Sequence, residues 1–155
     1  PPTWVNWISW LYAYSFSAST IESLHLVYHI MHDYKAGTAM FPHIHWSPNS
    51  TNTWVVRWGF EYTYARGYNT EAFPLTSTIY IEQAASGTIW MHQIAETAEP
   101  WIIIPNAETD MLINVRVFRD WNHANDTFTW EAIWFMADLH YESDHEITVN
   151  RNWPF

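Results

Sequence analysis

The sequence predicts an all-β chain: an antiparallel β-sandwich, jelly-roll-like, with about eight strands in a single domain covering residues 1–155. Three observations carry this reading. Apolar residues recur at every second position through much of the chain, the spacing that buries one face of a strand. Helical spacing hardly occurs, and the one short candidate runs from Ser19, as its cap, to Leu24. The segments between the alternating runs are rich in Pro, Gly and Asn, and many short strands joined by such turns make a sandwich or barrel. A length of 155 residues matches one compact domain.

Leu24, Leu26, Tyr28 and Ile30 alternate with Ser23, His25, Val27 and His29, which predicts a strand running into the polar loop His32 to Gly37. Met40 to Trp46 is extended, because Pro42 resists helix, and a Pro there implies an edge position or a strand start. The clearest strand places Trp54, Val56, Trp58, Phe60, Tyr62 and Tyr64 on one face. Arg66 to Thr70, followed by Pro74, is a loop. Thr78–Glu82 and Ile89–Ile94 are two short strands, with Ala84–Gly87 as a hairpin connection. Trp101 to Ile104 fits a short strand or a buried loop equally well. Ile113, Val115 and Val117 mark a strand that stops at Arg119 to Asp126. The last long strand runs from about Phe128 to Tyr141, with Ile133, Phe135, Ala137, Leu139 and Tyr141 on one face and Trp130, Trp134 and Met136 on the other. Both faces are apolar, so this strand is expected to be covered on both sides, one of them by another subunit.

Sixteen acidic against six basic residues give a formal charge of -10, a field that repels phosphate backbones and anionic lipid headgroups. Neither nucleic acid nor a membrane is an expected partner. No Cys is present, which removes disulfides, thiolate nucleophiles and Cys-based zinc sites. No 18-residue apolar run and no basic-then-apolar start occur, so neither a membrane span nor a signal peptide is expected.

The unusual quantity is aromatic: 12 Trp, 9 Tyr and 8 Phe offer more flat ring surface than one small core encloses. Trp7, Trp10, Trp130, Trp134 and Met136 are therefore candidate subunit contacts, with residues 1–20 and 142–155 as interface arms. Tyr68 and Trp121, with Asn122 and Asp126, form an alternative set that would stack on and hydrogen-bond to a host surface glycan. Nine His invite a metal reading, best at His43 and His45, which lie two apart on a strand and point the same way. His29 with His32, or His140 with His145, would complete such a site. The bland reading, ordinary structural histidines, outweighs it, and no cofactor is expected. Glu61, Glu131 and Asp138 are carboxylates on or near aromatic-rich strands, the residue type of glycoside hydrolysis. No Gly-x-Ser-x-Gly, zinc-protease or phosphate-loop signature is present, so an enzyme is not expected.

The segments His29-Ile30-Met31-His32-Asp33-Tyr34-Lys35-Ala36-Gly37-Thr38, Pro42-His43-Ile44-His45-Trp46, Trp58-Gly59-Phe60-Glu61-Tyr62-Thr63-Tyr64 and Asp138-Leu139-His140-Tyr141 resemble a family of small tailed-bacteriophage virion proteins. The resemblance implies a structural component of the virion, a β-sandwich that decorates or caps head or tail in several copies and contacts other virion proteins. It assigns no catalytic residue. A closed homo-oligomer is the expectation, with a trimer first by analogy to decoration and fibre proteins. The competing expectations are a carbohydrate-binding receptor knob and, more weakly, a cupin-like metal enzyme using His43 and His45.

Overall fold

The computed structural model describes residues 1–8, 11–96, 99, 101–104, 106–108 and 110–143. Among these, ten strands form two antiparallel sheets, with no helix. They are β1 (Thr3–Ile8), β2 (Leu11–Phe16), β3 (Ser23–His29), β4 (Ala39–Pro48), β5 (Val55–Ala65), β6 (Ser77–Ala84), β7 (Gln93–Glu96), β8 (Ile102–Ile103), β9 (Leu112–Arg119) and β10 (Ala132–Tyr141). The first sheet has the order β1-β2-β10-β4-β7, with β8 also pairing with β4, and the second is β3-β9-β5-β6. Without the accessory strands β1 and β8, the orders β2-β10-β4-β7 and β3-β9-β5-β6 are the two interleaved sheets of a jelly roll. The chain repeatedly crosses from one sheet to the other, so neighbours in each sheet are mostly distant in sequence.

The alternating positions fill the space between the sheets. Val56, Trp58 and Phe60 of β5 and Ile113, Val115 and Val117 of β9 meet Met40, Ile44 and Trp46 of β4 in the core. Trp58 stands edge-on to Phe16 at 5.3 Å and to Trp46 at 6.1 Å, and Trp46 is edge-on to Phe128. Such pairs add about 0.5–1.5 kcal/mol each beyond the area they bury. Interlocking rings thus fill the centre of the sandwich around Trp46 and Trp58.

Four details differ from the periodicity. Pro42 lies in an interior strand: β4 has β10 on one side, and on the other its pairing with β8 ends at Met40 and its pairing with β7 begins at His43, so Pro42 falls in the gap between those two partners. The expected hairpin is absent, because β6 belongs to the second sheet and β7 to the first. The Ser19–Leu24 segment is a bend leading into β3, not a helix. Most of residues 1–20, expected as an interface arm, form the strands β1 and β2 at the edge of the first sheet; the arm expected at 142–155 lies almost wholly outside the described residues, apart from a bridge between Ser143 and Tyr34.

The last strand holds the largest difference. β10 starts at Ala132, and a bulge between Trp134 and Met136 inserts Phe135 as an extra residue. Because side chains alternate, one inserted residue reverses the pattern beyond it. Ala132, Trp134, Ala137, Leu139 and Tyr141 consequently face the core, whereas Met136, Asp138 and His140 stand opposite His45, His43 and Phe41 on the outer face. Trp134, expected on an interface, is 7% exposed and part of the core.

Candidate functional site

The outer face of the first sheet gathers most of the chemistry. On β4 the core takes the even positions, so His43 and His45 turn outwards together, as their spacing predicts. The pairing of β10 with β4 and of β4 with β7 sets Asp138, His43 and Glu96 in one row, and Met136, His45 and Ile94 in the next. His140, two residues beyond Asp138, shares that face.

The distances are specific. His43 Nδ1 lies 3.7 Å from Asp138 Oδ1, and His43 Nε2 lies 2.7 Å from Glu96 Oε2. His45 Nε2 and His140 Nε2 lie 3.5 and 3.6 Å from Asp138 Oδ2. His45 Nδ1 is hydrogen-bonded to His92 Nε2 at 2.8 Å, and the two rings stack. The His140 ring meets the His43 ring edge-on at 3.8 Å. Although its side chain is only 5% exposed, His43 makes no well-directed hydrogen bond with either ring nitrogen; His45 Nε2 and Asp138 Oδ1 are also buried without one. The charge of Asp138 reaches into the sandwich: Tyr28, whose hydroxyl donates to the Ala137 carbonyl at 2.6 Å, has its pKa raised by burial and further by Asp138.

Around these polar groups the same face is apolar. Met136 and Ile94 flank His45, Trp101 packs on Phe41 at 5.3 Å, and Ile103 stands opposite Ala39; Met136, Ile94, Trp101 and Ile103 are all exposed. At the free edge, Trp4 of β1 packs on Tyr14 at 4.1 Å yet remains 58% exposed, and Tyr12 is 63% exposed.

The other sequence-derived candidates do not converge. Trp130 precedes β10 and packs at the sandwich end against Trp54 and Phe128. Trp7 falls in β1, and Trp10 and His145 lie outside the described residues. Of the glycan set, Tyr68 is exposed and binds Asp110 and Glu108 before β9, whereas Trp121 and Asn122 follow the other end of β9. The Asp126 carboxylate is withdrawn from solvent: its side chain is 2% exposed and paired with Arg119 at 2.7 Å. Glu61 and Asp138 stand on different sheets and Glu131 in the loop before β10, so these carboxylates do not flank a common bond. His29 and His32 share Asp110, at 2.6 and 3.4 Å, and His29 belongs to β3 of the second sheet, whereas the His43 group lies on the first.

His92, Glu96, Asp138 and His140 are the partners that the alternation alone did not assemble. Strict alternation from Ile133 to Tyr141 puts Asp138 and His140 on the face of Trp134. It takes the bulge at Phe135 to send the polar pair outwards while the tryptophan stays in the core. Comparison of the chain with protein-family models, with curated proteins and with solved structures gives no match.

Proposed function

We propose that this protein is a structural subunit of a tailed-bacteriophage particle, a jelly-roll protein that decorates or caps the virion by associating with copies of itself. The observation that carries the reading is the exposed apolar set on the first sheet: Met136, Ile94, Trp101 and Ile103 on its outer face, with Trp4 on the edge strand β1 and Tyr12 on β2 beside it. Exposed aromatic and aliphatic groups on a sheet that ends in a strand paired on one side only are costly in a solitary molecule and are relieved when another subunit covers them. Exposed Trp and Tyr are the side chains from which interface anchors are usually drawn. The resemblance of the Pro42–Trp46 and Trp58–Tyr64 segments to virion proteins supplies the context, and a closed cyclic assembly, three copies first, is the form such contacts take.

Density maps of intact particles carrying the protein test this. The reading predicts identical jelly rolls on the particle surface, with the first sheet turned towards neighbouring subunits. Particles that carry it as isolated copies with that sheet facing solvent contradict it. The glycan-binding alternative has less support, because the Asp126 carboxylate is buried and Tyr68 sits apart from Trp121 and Asn122.

A further inference from the structure

From the groups on the outer face of the first sheet we infer that His43, Asp138 and His140 bind a divalent transition-metal ion of the zinc type. One ligand atom from each of these residues lies within 4.8 Å of the others. The relevant separations, 3.7 Å from His43 Nδ1 to Asp138 and 3.6 Å from His140 Nε2 to Asp138, are too long for hydrogen bonds. They come close to the edge of a tetrahedron around an ion with bonds near 2.0–2.1 Å, which is about 3.3 Å. Asp138, with Oδ1 towards His43 and Oδ2 towards His140, thus stands from each imidazole at roughly the separation of two ligands on one ion.

The surroundings supply a second, independent argument. A buried imidazole without a directed hydrogen bond is costly, and His43 is such a group. A Glu96 carboxylate oxygen lies 2.7 Å from its Nε2, off the hydrogen-bond direction, and a proton on Nε2 would leave Nδ1 unprotonated beside Asp138. A carboxylate behind a histidine in this manner is how metal-binding imidazoles are oriented and made more basic. His45 lies close by, with His92 at its Nδ1 and its Nε2 3.5 Å from Asp138. Two imidazoles and one carboxylate suit zinc and neighbouring first-row ions better than calcium or magnesium. The pair His29 and His32 lacks this preparation, because Asp110 lies directly against His29. All of the ligands come from one chain, so the site does not depend on self-assembly and fails or stands separately from it.

Titration of the metal-free full-length protein with zinc chloride, followed by calorimetry and by the imidazole resonances, tests the site. One ion per chain is expected, with the His43 and His140 ring signals moving and those of His29 and His32 unchanged. His140→Ala, at an exposed position, and Asp138→Asn should each weaken binding at least tenfold. Glu96→Gln, which touches no ion, should weaken it by about 10-fold through the orientation of His43. A protein that takes up no zinc, or whose binding is unchanged in both His140→Ala and Asp138→Asn, overturns the assignment. So does uptake that disappears in His29→Ala instead.

Discussion

Arg119 and Asp126 form an ion pair inside the sandwich, 2.7 Å apart, with side-chain exposures of 1% and 2%. Arg119 stands opposite Trp58, a core position, so its guanidinium points inwards from the end of β9. It also donates to the Trp130 carbonyl at 2.6 Å and to the Phe128 carbonyl, while Asp126 accepts from the Arg57 amide at 3.0 Å. The pair thereby ties the loop after β9 to the interior and fixes where β10 begins.

Because both charges are desolvated, removing one strands the other. Arg119→Met and Asp126→Asn should each cost about 3–5 kcal/mol, whereas replacing both residues together by apolar ones should cost clearly less than the sum. Urea unfolding of the two single variants and the double variant measures this. Additive losses, or single losses below about 1 kcal/mol, contradict a buried, mutually dependent pair.

Gly59 makes room for an aromatic ring. It pairs with Phe118 on one side and Tyr80 on the other, and a Cβ built on it would lie 2.2 Å from the Phe118 ring. That ring is held by Tyr80 at 6.3 Å and by Arg116, whose guanidinium lies 4.4 Å above it. Gly59→Ala should therefore destabilise the fold by about 1–3 kcal/mol, the usual range for overpacking. In a Phe118→Ala background the same change should cost much less; an equal cost in both backgrounds, read from thermal unfolding, speaks against the ring contact as the cause.

Glu61 accepts hydrogen bonds from Thr76 at 2.8 Å and from Arg116, and these hold its pKa below the ordinary Glu value against the opposing effect of burial. Since the folded value is the depressed one, the stabilisation is present above the ordinary Glu range and is lost as pH falls through the folded value. Carboxyl carbon shifts in an NMR titration should show Glu61 titrating at a lower pH than a solvent-exposed Glu. Thr76→Ala should move that midpoint upwards, and an unmoved midpoint would remove the hydroxyl as the main cause.

The bulge at Phe135 makes an all-or-none prediction. Phe135→Ala keeps the extra backbone residue, so β10 should hold its register and the protein should fold. Deleting Phe135 would instead drive Asp138 and His140 towards the core, or Trp134 out of it, and the chain should fail to give a cooperative unfolding transition. A well-folded deletion variant by circular dichroism and thermal melting contradicts the register described.

The sandwich was legible in the sequence because burial on one face imposes period two, and Val56–Trp58–Phe60 and Ile113–Val115–Val117 show that pattern without interruption. Sheet membership was less so: Ala84–Gly87 has the composition of a hairpin turn, and composition does not say that the chain is crossing to the other sheet. The outward pairing of His43 with His45 was readable for the same reason as the strands. His140 entered only as half of one of two candidate pairs and Asp138 not as a neighbour at all, since their outward placement depends on a single inserted residue within an apolar run. Asp126 and Arg119 were hidden for another reason. Charged residues in an Asn-rich loop look solvated, and only tertiary packing takes them out of water.

The most direct test of the account is the native mass of the purified chain, measured alongside a variant carrying Trp4→Ser, Tyr12→Ser and Met136→Ser. The apolar outer face and free edge of the first sheet predict a discrete closed oligomer for the parent protein and a folded single copy for the variant. A parent protein that remains a single copy at micromolar concentration, with a mass profile identical to that of the variant, would contradict the account.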